Sequence, residues 1–224
     1  MKLFLCGGGS GKQIEKALNE FSLIIDKSKP ILYVPLAMSK EKYDSCYLWF
    51  QEEIKKINID KFEMVTSALE LSEKNFHDYS ALFIGGGNTY KLLAEIKQYG
   101  NYEKIVNYLN NDGLIFGSSA GAIIFGKDIN SCLLDDENNI NLKDTVGFNL
   151  LNDYSILCHL TKNNLEKNCS YLKEYSQTTK VIYLPEEDVI ELDNAGTKIL
   201  GTKNYVVFSA GEYRWQDCDS FKIS

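Results

Sequence analysis

Short apolar runs alternate with longer amphipathic segments along the first half of the chain. The apolar runs of strand length lie at 1–5, 30–36, 61–66, 81–84 and 114–117. The segments between them that are predicted as helices cover 12–26, 41–57, 72–78, 89–98 and 103–110. This alternation predicts βαβ units, and hence an α/β fold with a mostly parallel sheet and helices on both faces.

The second half of the chain continues the alternation and then changes character. Its predicted elements are a polar loop over 135–139, a strand over 155–159, a helix over 161–175, a strand over 181–184 and an acidic turn over 185–188. From Val189 the pattern predicts a region of antiparallel β-hairpins, with turns at 193–196 and 202–204 and a strand over 206–208. No internal repeat or linker interrupts the pattern, so we expect one domain spanning 1–224.

The stretch 114–122 reads LIFGSSAGA, an apolar run that ends in glycine, two hydroxyls and small residues. Gly117, Ser119 and Gly121 fill the pattern G-x-S-x-G, in which a serine sits on a sharp strand-to-helix turn. Ser119 is therefore the candidate nucleophile. The N–H of Ala120, at the start of the following helix, would point at charge that develops beside it, which makes it a candidate oxyanion-hole donor.

A second glycine-rich stretch follows the preceding predicted strand. Residues 81–90 read ALFIGGGNTY, so three glycines end an apolar run and Asn88 can cap the next helix. Glycines after a strand let backbone N–H groups approach a ligand closely. An oxyanion hole needs a second N–H group, and the candidates are that of Gly87 and, as an alternative, that of Gly86.

The GGGNT motif at 85–89 and the GSSAGA motif at 117–122 together resemble the aspartyl dipeptidase (peptidase E) family. The LFLCGGG start over 3–9 and a downstream histidine also fit, so the resemblance covers nearly the whole chain. This family of serine peptidases is related to cyanophycinases and to the class I glutamine amidotransferase-like fold. The resemblance therefore implies a flavodoxin-like architecture and serine-type hydrolysis of small peptides.

A serine hydroxyl needs a base to take its proton, and the chain has two histidines. His77 lies among polar residues and is predicted to be a surface side chain. His159 ends an apolar strand, so its imidazole should emerge at the rim where Ser119 lies. We therefore predict His159 as the general base.

The base needs a carboxylate that fixes its tautomer, and two regions offer one. Glu186 follows a buried strand and a proline, which would make its position rigid, and the resemblance implies an acid in a Pro-Glu turn. Asp135 or Asp136, in the polar loop, is the alternative. We favour Glu186 because a rigid strand end orients a side chain better than a solvated loop. Asn88 is a further candidate, for substrate binding.

Net charge and cysteine content indicate which classes of partner and which cellular compartment to expect. The net charge of -7, from 31 acidic and 24 basic residues, argues against a nucleic-acid or anionic-membrane surface. The six cysteines form no C-x-x-C pair and no zinc-finger spacing, so we expect reduced thiols and no structural zinc site. The hydrolysis that we expect needs no metal or organic cofactor. The apolar run at the start of the chain is too short for the apolar region of a secretory signal. We expect a cytoplasmic monomer or homodimer.

With the candidate residues, the resemblance implies a serine exopeptidase of small peptides, and it makes N-terminal aspartate the first side chain to consider. A bound carboxylate favours arginine, and the one arginine, Arg214, lies in the tail. Lys162, Lys167 and Lys173 follow His159 and could serve instead. The alternative function is a non-catalytic, amidotransferase-like domain that binds or senses a small molecule.

Overall fold

A computed structural model describes residues 1–220 of the chain. The strands are β1 Lys2–Cys6, β2 Ile31–Val34, β3 Phe62–Met64, β4 Ala81–Ile84, β5 Leu114–Ser118, β6 Tyr154–Leu157, β7 Lys180–Tyr183, β8 Val189–Asp193, β9 Gly196–Leu200, β10 Tyr205–Ser209 and β11 Glu212–Gln216. The α-helices are α1 Glu15–Ile24, α2 Tyr43–Lys55, α3 Ala68–Glu73, α4 Thr89–Ile96, α5 Asn101–Asn110, α6 Ala120–Ile123 and α7 Lys162–Tyr175. Within residues 1–220, no helix is both long and apolar enough to cross a bilayer.

Seven strands form the main sheet, in the order β3-β2-β4-β5-β1-β8-β9. The five strands from β3 to β1 pair in parallel, and β8 and β9 add an antiparallel edge. The predicted α/β fold with a mostly parallel sheet is therefore confirmed. Its strands are short apolar runs because both faces of the sheet are covered.

Helices cover both faces of this sheet, as the alternation predicts. On β1, Leu3 and Leu5 point into one core, and Phe4 and Cys6 point into the other, because successive side chains alternate across a strand. Helices α1 and α2 pack on the Phe4 face. Helices α3, α4, α5 and α6 contribute to the core on the Leu3 face, together with β6, β7 and β10.

The strands β6 and β7 belong to a second sheet, in the order β11-β10-β7-β6, which the sequence pattern does not separate from the first.

The predicted hairpin turn at 193–196 is confirmed, since β8 pairs with β9 there. The predicted hairpin turn at 202–204 is wrong, because that segment joins β9 in the main sheet to β10 in the second sheet. The second hairpin turns at Ala210 and Gly211, both with positive φ, between β10 and β11. The predicted helix over 72–78 is wrong in part, because α3 ends at Glu73 and only a short 3-10 helix, Phe76–Asp78, follows it.

The register of three strands brings the candidate residues to one edge of the main sheet. Cys6, at the end of β1, is opposite Ser118 of β5 and opposite Val189 of β8. Ser119 follows Ser118 directly, and the turn that carries Glu186 leads into Val189. Because β8 runs antiparallel to β1, its beginning lies where the parallel strands end, the edge at which open α/β sheets bind ligands.

Candidate active site

Ser119, His159 and Glu186 form a continuous chain of hydrogen bonds. Ser119 Oγ lies 2.8 Å from His159 Nε2, and His159 Nδ1 lies 2.9 Å from Glu186 Oε1. A carboxylate can only accept, so Nδ1 carries the proton and Nε2 is free to accept from the serine hydroxyl. The three side chains that the sequence singles out as nucleophile, base and acid therefore meet, with the base between the other two.

Ser119 sits on a strained turn between β5 and α6. Its backbone has φ 52° and ψ -115°, a conformation that non-glycine residues rarely adopt. The turn is held by a hydrogen bond from the Ser119 N–H to the Cys6 carbonyl at 3.0 Å. Small neighbours make the turn possible: a β-carbon on Gly121 would lie 2.8 Å from the carbonyl carbon of Ile84.

His159 also has a left-handed backbone, with φ 61°. Its N–H donates to the Gly7 carbonyl at 2.9 Å, and its own carbonyl accepts from the Asn164 side chain at 2.8 Å. These bonds fix the residue just after β6, before Thr161 caps helix α7 by accepting from the N–H of Asn164 at 3.1 Å. The backbone of His159 is thus fixed by hydrogen bonds at both its N–H and its carbonyl group, and this fixes the base of the imidazole side chain.

Glu186 lies on the connection from β7 in the second sheet to β8 in the main sheet. The hydrogen bond from His159 holds the pKa of the Glu186 carboxyl below its usual range, and a hydrogen bond from Gln13 adds to this effect. Gln13 Nε2 lies 3.3 Å from Glu186 Oε2. The carboxyl therefore stays ionised in mildly acidic solution, as the partner of an imidazole that gains a proton must.

The glycine loop after β1 is part of the site, although the sequence suggests only a turn into a helix. The Gly7 N–H donates to the Asp188 carbonyl at 2.9 Å, and the Gly9 N–H donates to the Glu186 carbonyl at 3.0 Å. A β-carbon on Gly8 would lie 2.6 Å from His159 Nδ1. The loop thus packs against both His159 and Glu186, and the run of three glycines is the signal that could have indicated this close approach.

The glycine-rich segment after β4 lies beside Ser119. Within the described residues, the N–H groups of Gly86, Gly87 and Ala120 donate no hydrogen bond. A β-carbon on Gly86 would lie 3.0 Å from Ser119 Cβ and 3.5 Å from its Oγ, so Gly86 is in contact with Ser119. Gly87 has φ 134° and approaches Ala37 closely. Gly87 and its alternative Gly86, in the segment after β4, therefore stay candidate oxyanion-hole donors, as does Ala120.

The alternative acids are bonded elsewhere. Asp136 Oδ2 accepts from the N–H of Thr89 at 2.8 Å, at the start of helix α4. Asp135 Oδ1 lies 2.7 Å from Lys167 Nζ. Of the carboxylates in residues 1–220, Glu186 is the one that pairs with His159. The polar loop therefore contacts the start of α4 through Asp136 and helix α7 through Asp135.

The predicted capping role of Asn88 is confirmed, because its side chain accepts from the Lys91 N–H at 2.8 Å. The amide nitrogen of Asn88 donates to the Glu137 carbonyl at 2.8 Å. Its substrate-binding role stays a prediction. His77 is exposed, as predicted.

The candidate basic residues are dispersed. Lys167 is paired with Asp135, Lys173 lies over the Tyr213 ring at 5.6 Å, and Arg214 is exposed on β11. All six cysteines are free thiols, as predicted. Burial raises the pKa of the Cys6 thiol to about 11, so this residue beside the site is a neutral core side chain.

The chain is similar to known peptidases along most of its length. The model of peptidase family S51 matches residues 3–200. Peptidase E of Salmonella arizonae is 29% identical over 167 residues, which cover 70% of this chain and 69% of that protein. Peptidase E of a Nostoc species is 24% identical over 200 residues, which cover 82% of this chain and 77% of that protein.

Solved structures show the same fold. A crystal structure of a Listeria monocytogenes protein named as peptidase E matches with a TM-score of 0.73 at 20% identity, covering 90% of this chain and 98% of that chain. A peptidase from an acI-B1 actinobacterium matches with a TM-score of 0.70 at 15% identity, covering 100% of this chain and 96% of that chain. With the family match over 3–200, these findings confirm the resemblance drawn from the glycine and serine motifs. The protein is a peptidase, and it belongs to peptidase family S51.

Proposed function

We propose that this protein is a serine-type exopeptidase that hydrolyses small peptides through Ser119, His159 and Glu186. The observation that carries the proposal is the pair of hydrogen bonds, 2.8 Å and 2.9 Å long, that joins the three side chains. A serine hydroxyl becomes a useful nucleophile when a base within hydrogen-bond reach can take its proton. The order nucleophile, base, acid is the one that acyl transfer requires.

The proposed reaction begins when Ser119 Oγ attacks the peptide carbonyl carbon and His159 Nε2 takes the hydroxyl proton. The carbonyl electron pair moves to oxygen, where the N–H of Ala120 and that of Gly87 or Gly86 would stabilise the negative charge. Glu186 accepts a hydrogen bond from the Nδ1–H group of His159, and its negative charge stabilises the imidazolium. The C–N bond then breaks, and the leaving amine takes the proton from Nε2.

Water completes the cycle by attacking the acyl-enzyme ester. His159 Nε2 takes one proton from this water, and the oxygen of Ser119 leaves with that proton as the carboxylic acid is released. Each step uses only groups of this chain, the peptide and water. The resemblance to aspartyl dipeptidases makes dipeptides the first substrates to test, beginning with Asp-X.

The test is the intact mass of the protein after treatment with an alkyl fluorophosphonate. In this reaction the Ser119 oxygen bonds to phosphorus and fluoride leaves. We expect one adduct on the wild type and none on Ser119→Ala. The matched control is Ser118→Ala, which removes the neighbouring hydroxyl and should still be labelled once.

Two outcomes would contradict the proposal. An adduct retained on Ser119→Ala would place the reactive nucleophile elsewhere. A folded wild type without any adduct would favour the alternative function, a small-molecule-binding or sensor domain that has kept the turn around Ser119. If labelling occurs as expected, hydrolysis of a dipeptide panel then defines the substrate side chain.

A further inference from the structure

The carboxylate of Glu186 has a second side-chain partner besides His159. His159 Nδ1 bonds to Oε1 at 2.9 Å, and Gln13 Nε2 bonds to Oε2 at 3.3 Å. Gln13 lies in a short 3-10 helix, Gly11–Ile14, that follows the glycine loop after β1. The two oxygens of the acid are thus bonded to donors from two different segments of the chain.

The amide of Gln13 is itself oriented. Its Oε1 accepts from the N–H of Ser10 at 3.3 Å, the reach-back bond of a capping box. A side-chain amide has one acceptor end and one donor end. Because the Ser10 N–H bonds to the oxygen end, the NH2 end is turned towards Glu186.

The segment that carries Gln13 is anchored on both sides. The N–H of Gly11 donates to Oε1 of Glu53, a buried residue of helix α2, at 2.5 Å. Ile14 is buried in the core beneath the segment. On the other side, the N–H of Gly9 donates to the Glu186 carbonyl at 3.0 Å. Gln13 therefore reaches Glu186 from a fixed backbone, although its own side chain is exposed.

We infer that Gln13 is a positioning residue, which holds the Glu186 carboxylate in the orientation that aims Oε1 at His159. The Glu186 side chain is 42% exposed, so packing alone leaves it room to turn towards water. A donor on Oε2 opposes that rotation and keeps Oε1 on Nδ1. This inference rests on the proposed function, in which His159 acts as the base for Ser119.

Two substitutions separate this role from the capping role of the same side chain. Gln13→Ala removes both the bond to Ser10 and the bond to Glu186. Gln13→Glu keeps an acceptor for the Ser10 N–H, since glutamate serves equally well at this position of a capping box. It replaces the donor to Glu186 with a second carboxylate. Like charges at this distance repel and raise the pKa of each carboxyl.

The measurement is the second-order rate constant for labelling by an alkyl fluorophosphonate between about pH 5 and pH 9, with the melting temperature of each variant. We expect Gln13→Ala and Gln13→Glu each to be labelled about three- to tenfold more slowly than the wild type at pH 8. We also expect the acidic limb of the rate profile to move to higher pH in Gln13→Glu, because the added carboxylate beside the Glu186–His159 pair favours the protonated state of that pair. The melting temperature of Gln13→Glu should equal that of the wild type.

The control for the added charge is Gln98→Glu, an exposed glutamine just after helix α4 whose side chain donates to the Ala94 carbonyl. It should be labelled at the wild-type rate at every pH. The titratable groups on the segments packed around Glu186 and Gln13 include His159, Cys6, Cys158, Lys12, Glu53, Lys56, Glu187 and Asp188. All of them are present in both Gln13 variants, so a shift of the profile reports the change at residue 13.

One pattern of results would overturn the inference alone. If Ser119→Ala is unlabelled and Gln13→Glu is labelled like the wild type at every pH, Gln13 is only a helix cap, whatever the rate of Gln13→Ala. If Ser119→Ala is still labelled, the proposed function fails as well, and the two failures are therefore distinguishable.

Discussion

The imidazole of His159 lies directly against Gly8, at a distance that leaves no room for a side chain on residue 8. A β-carbon there would come within 2.6 Å of Nδ1 and 2.9 Å of Nε2. Gly8 also has φ 122°, which side chains rarely allow. The glycine loop after β1 therefore forms one wall of the space that the His159 imidazole occupies.

We expect Gly8→Ala to fold and to be labelled by a fluorophosphonate about 100-fold more slowly than the wild type, because the methyl group displaces the imidazole from Ser119. The matched control is Gly196→Ala. Gly196 has φ 140° but nothing within 4 Å of the added carbon, so it carries the backbone strain without the contact. Equal labelling of the two variants would mean that His159 does not depend on Gly8.

Replacing a carboxylate with the amide of the same shape tests whether Glu186 or the loop of Asp135 and Asp136 supplies the acid. We expect Glu186→Gln to lower the rate of dipeptide hydrolysis about 10³- to 10⁴-fold, because the amide no longer supplies the charge that stabilises the imidazolium. Asp135→Asn and Asp136→Asn should stay within a few-fold of the wild type, since Lys167 and the start of α4 are their partners. A large loss in either aspartate variant, with Glu186→Gln active, would reverse this result.

Because the turn around Ser119 is tight, we expect replacing a helical glycine with alanine to destabilise the fold, the opposite of the usual effect. Gly121 lies in helix α6, where alanine by propensity alone would stabilise the fold by about 0.5–1 kcal/mol. However, its β-carbon would lie 2.8 Å from the carbonyl carbon of Ile84 on β4. We expect Gly121→Ala to lower the free energy of unfolding by about 1–3 kcal/mol, measured by urea denaturation. A variant as stable as the wild type would show that the turn has room to relax.

The buried carboxyl of Asp188 predicts how stability depends on pH. Its Oδ1 accepts from the N–H groups of Thr202 and Lys203 at 3.2 Å each, and its Oδ2 has no partner among the described residues. Burial raises the pKa of Asp188 to about 6, above the value of about 3.9 for an unfolded chain. Ionisation therefore favours the unfolded state, and this destabilisation develops as the pH rises from about 4 to about 6.

We expect Asp188→Asn to remove that loss. Relative to the variant, the wild type should lose up to about 3 kcal/mol of unfolding free energy between pH 4 and pH 8. Urea denaturation at a series of pH values measures the difference. Asp60→Asn, at an exposed position, is the control and should follow the wild type. If the difference between Asp188→Asn and the wild type were independent of pH, the carboxyl would not titrate in this range.

Local patterns in the sequence determine the order of strands and helices in the first half of the chain. They also determine the turn that carries Ser119. Strand and helix periods are read over a few neighbouring residues, and a sharp strand-to-helix turn requires small residues at fixed spacing. Gly117 and Gly121 meet that requirement, and the conformation of Ser119, with φ 52°, agrees with it. His159 could be chosen because the chain has only two histidines and the other lies among polar residues.

Only the tertiary structure decides which groups meet these residues. Glu186 comes to His159 because the chain crosses from β7 to β8 beside the end of β1, and that crossing depends on a second sheet that no local pattern reveals. Gly8 and Gln13 join the site through contacts with residues more than a hundred positions away. Such contacts depend on strand order and register, which arise when distant apolar faces pack together, and the spacing of residues along the chain carries no record of them.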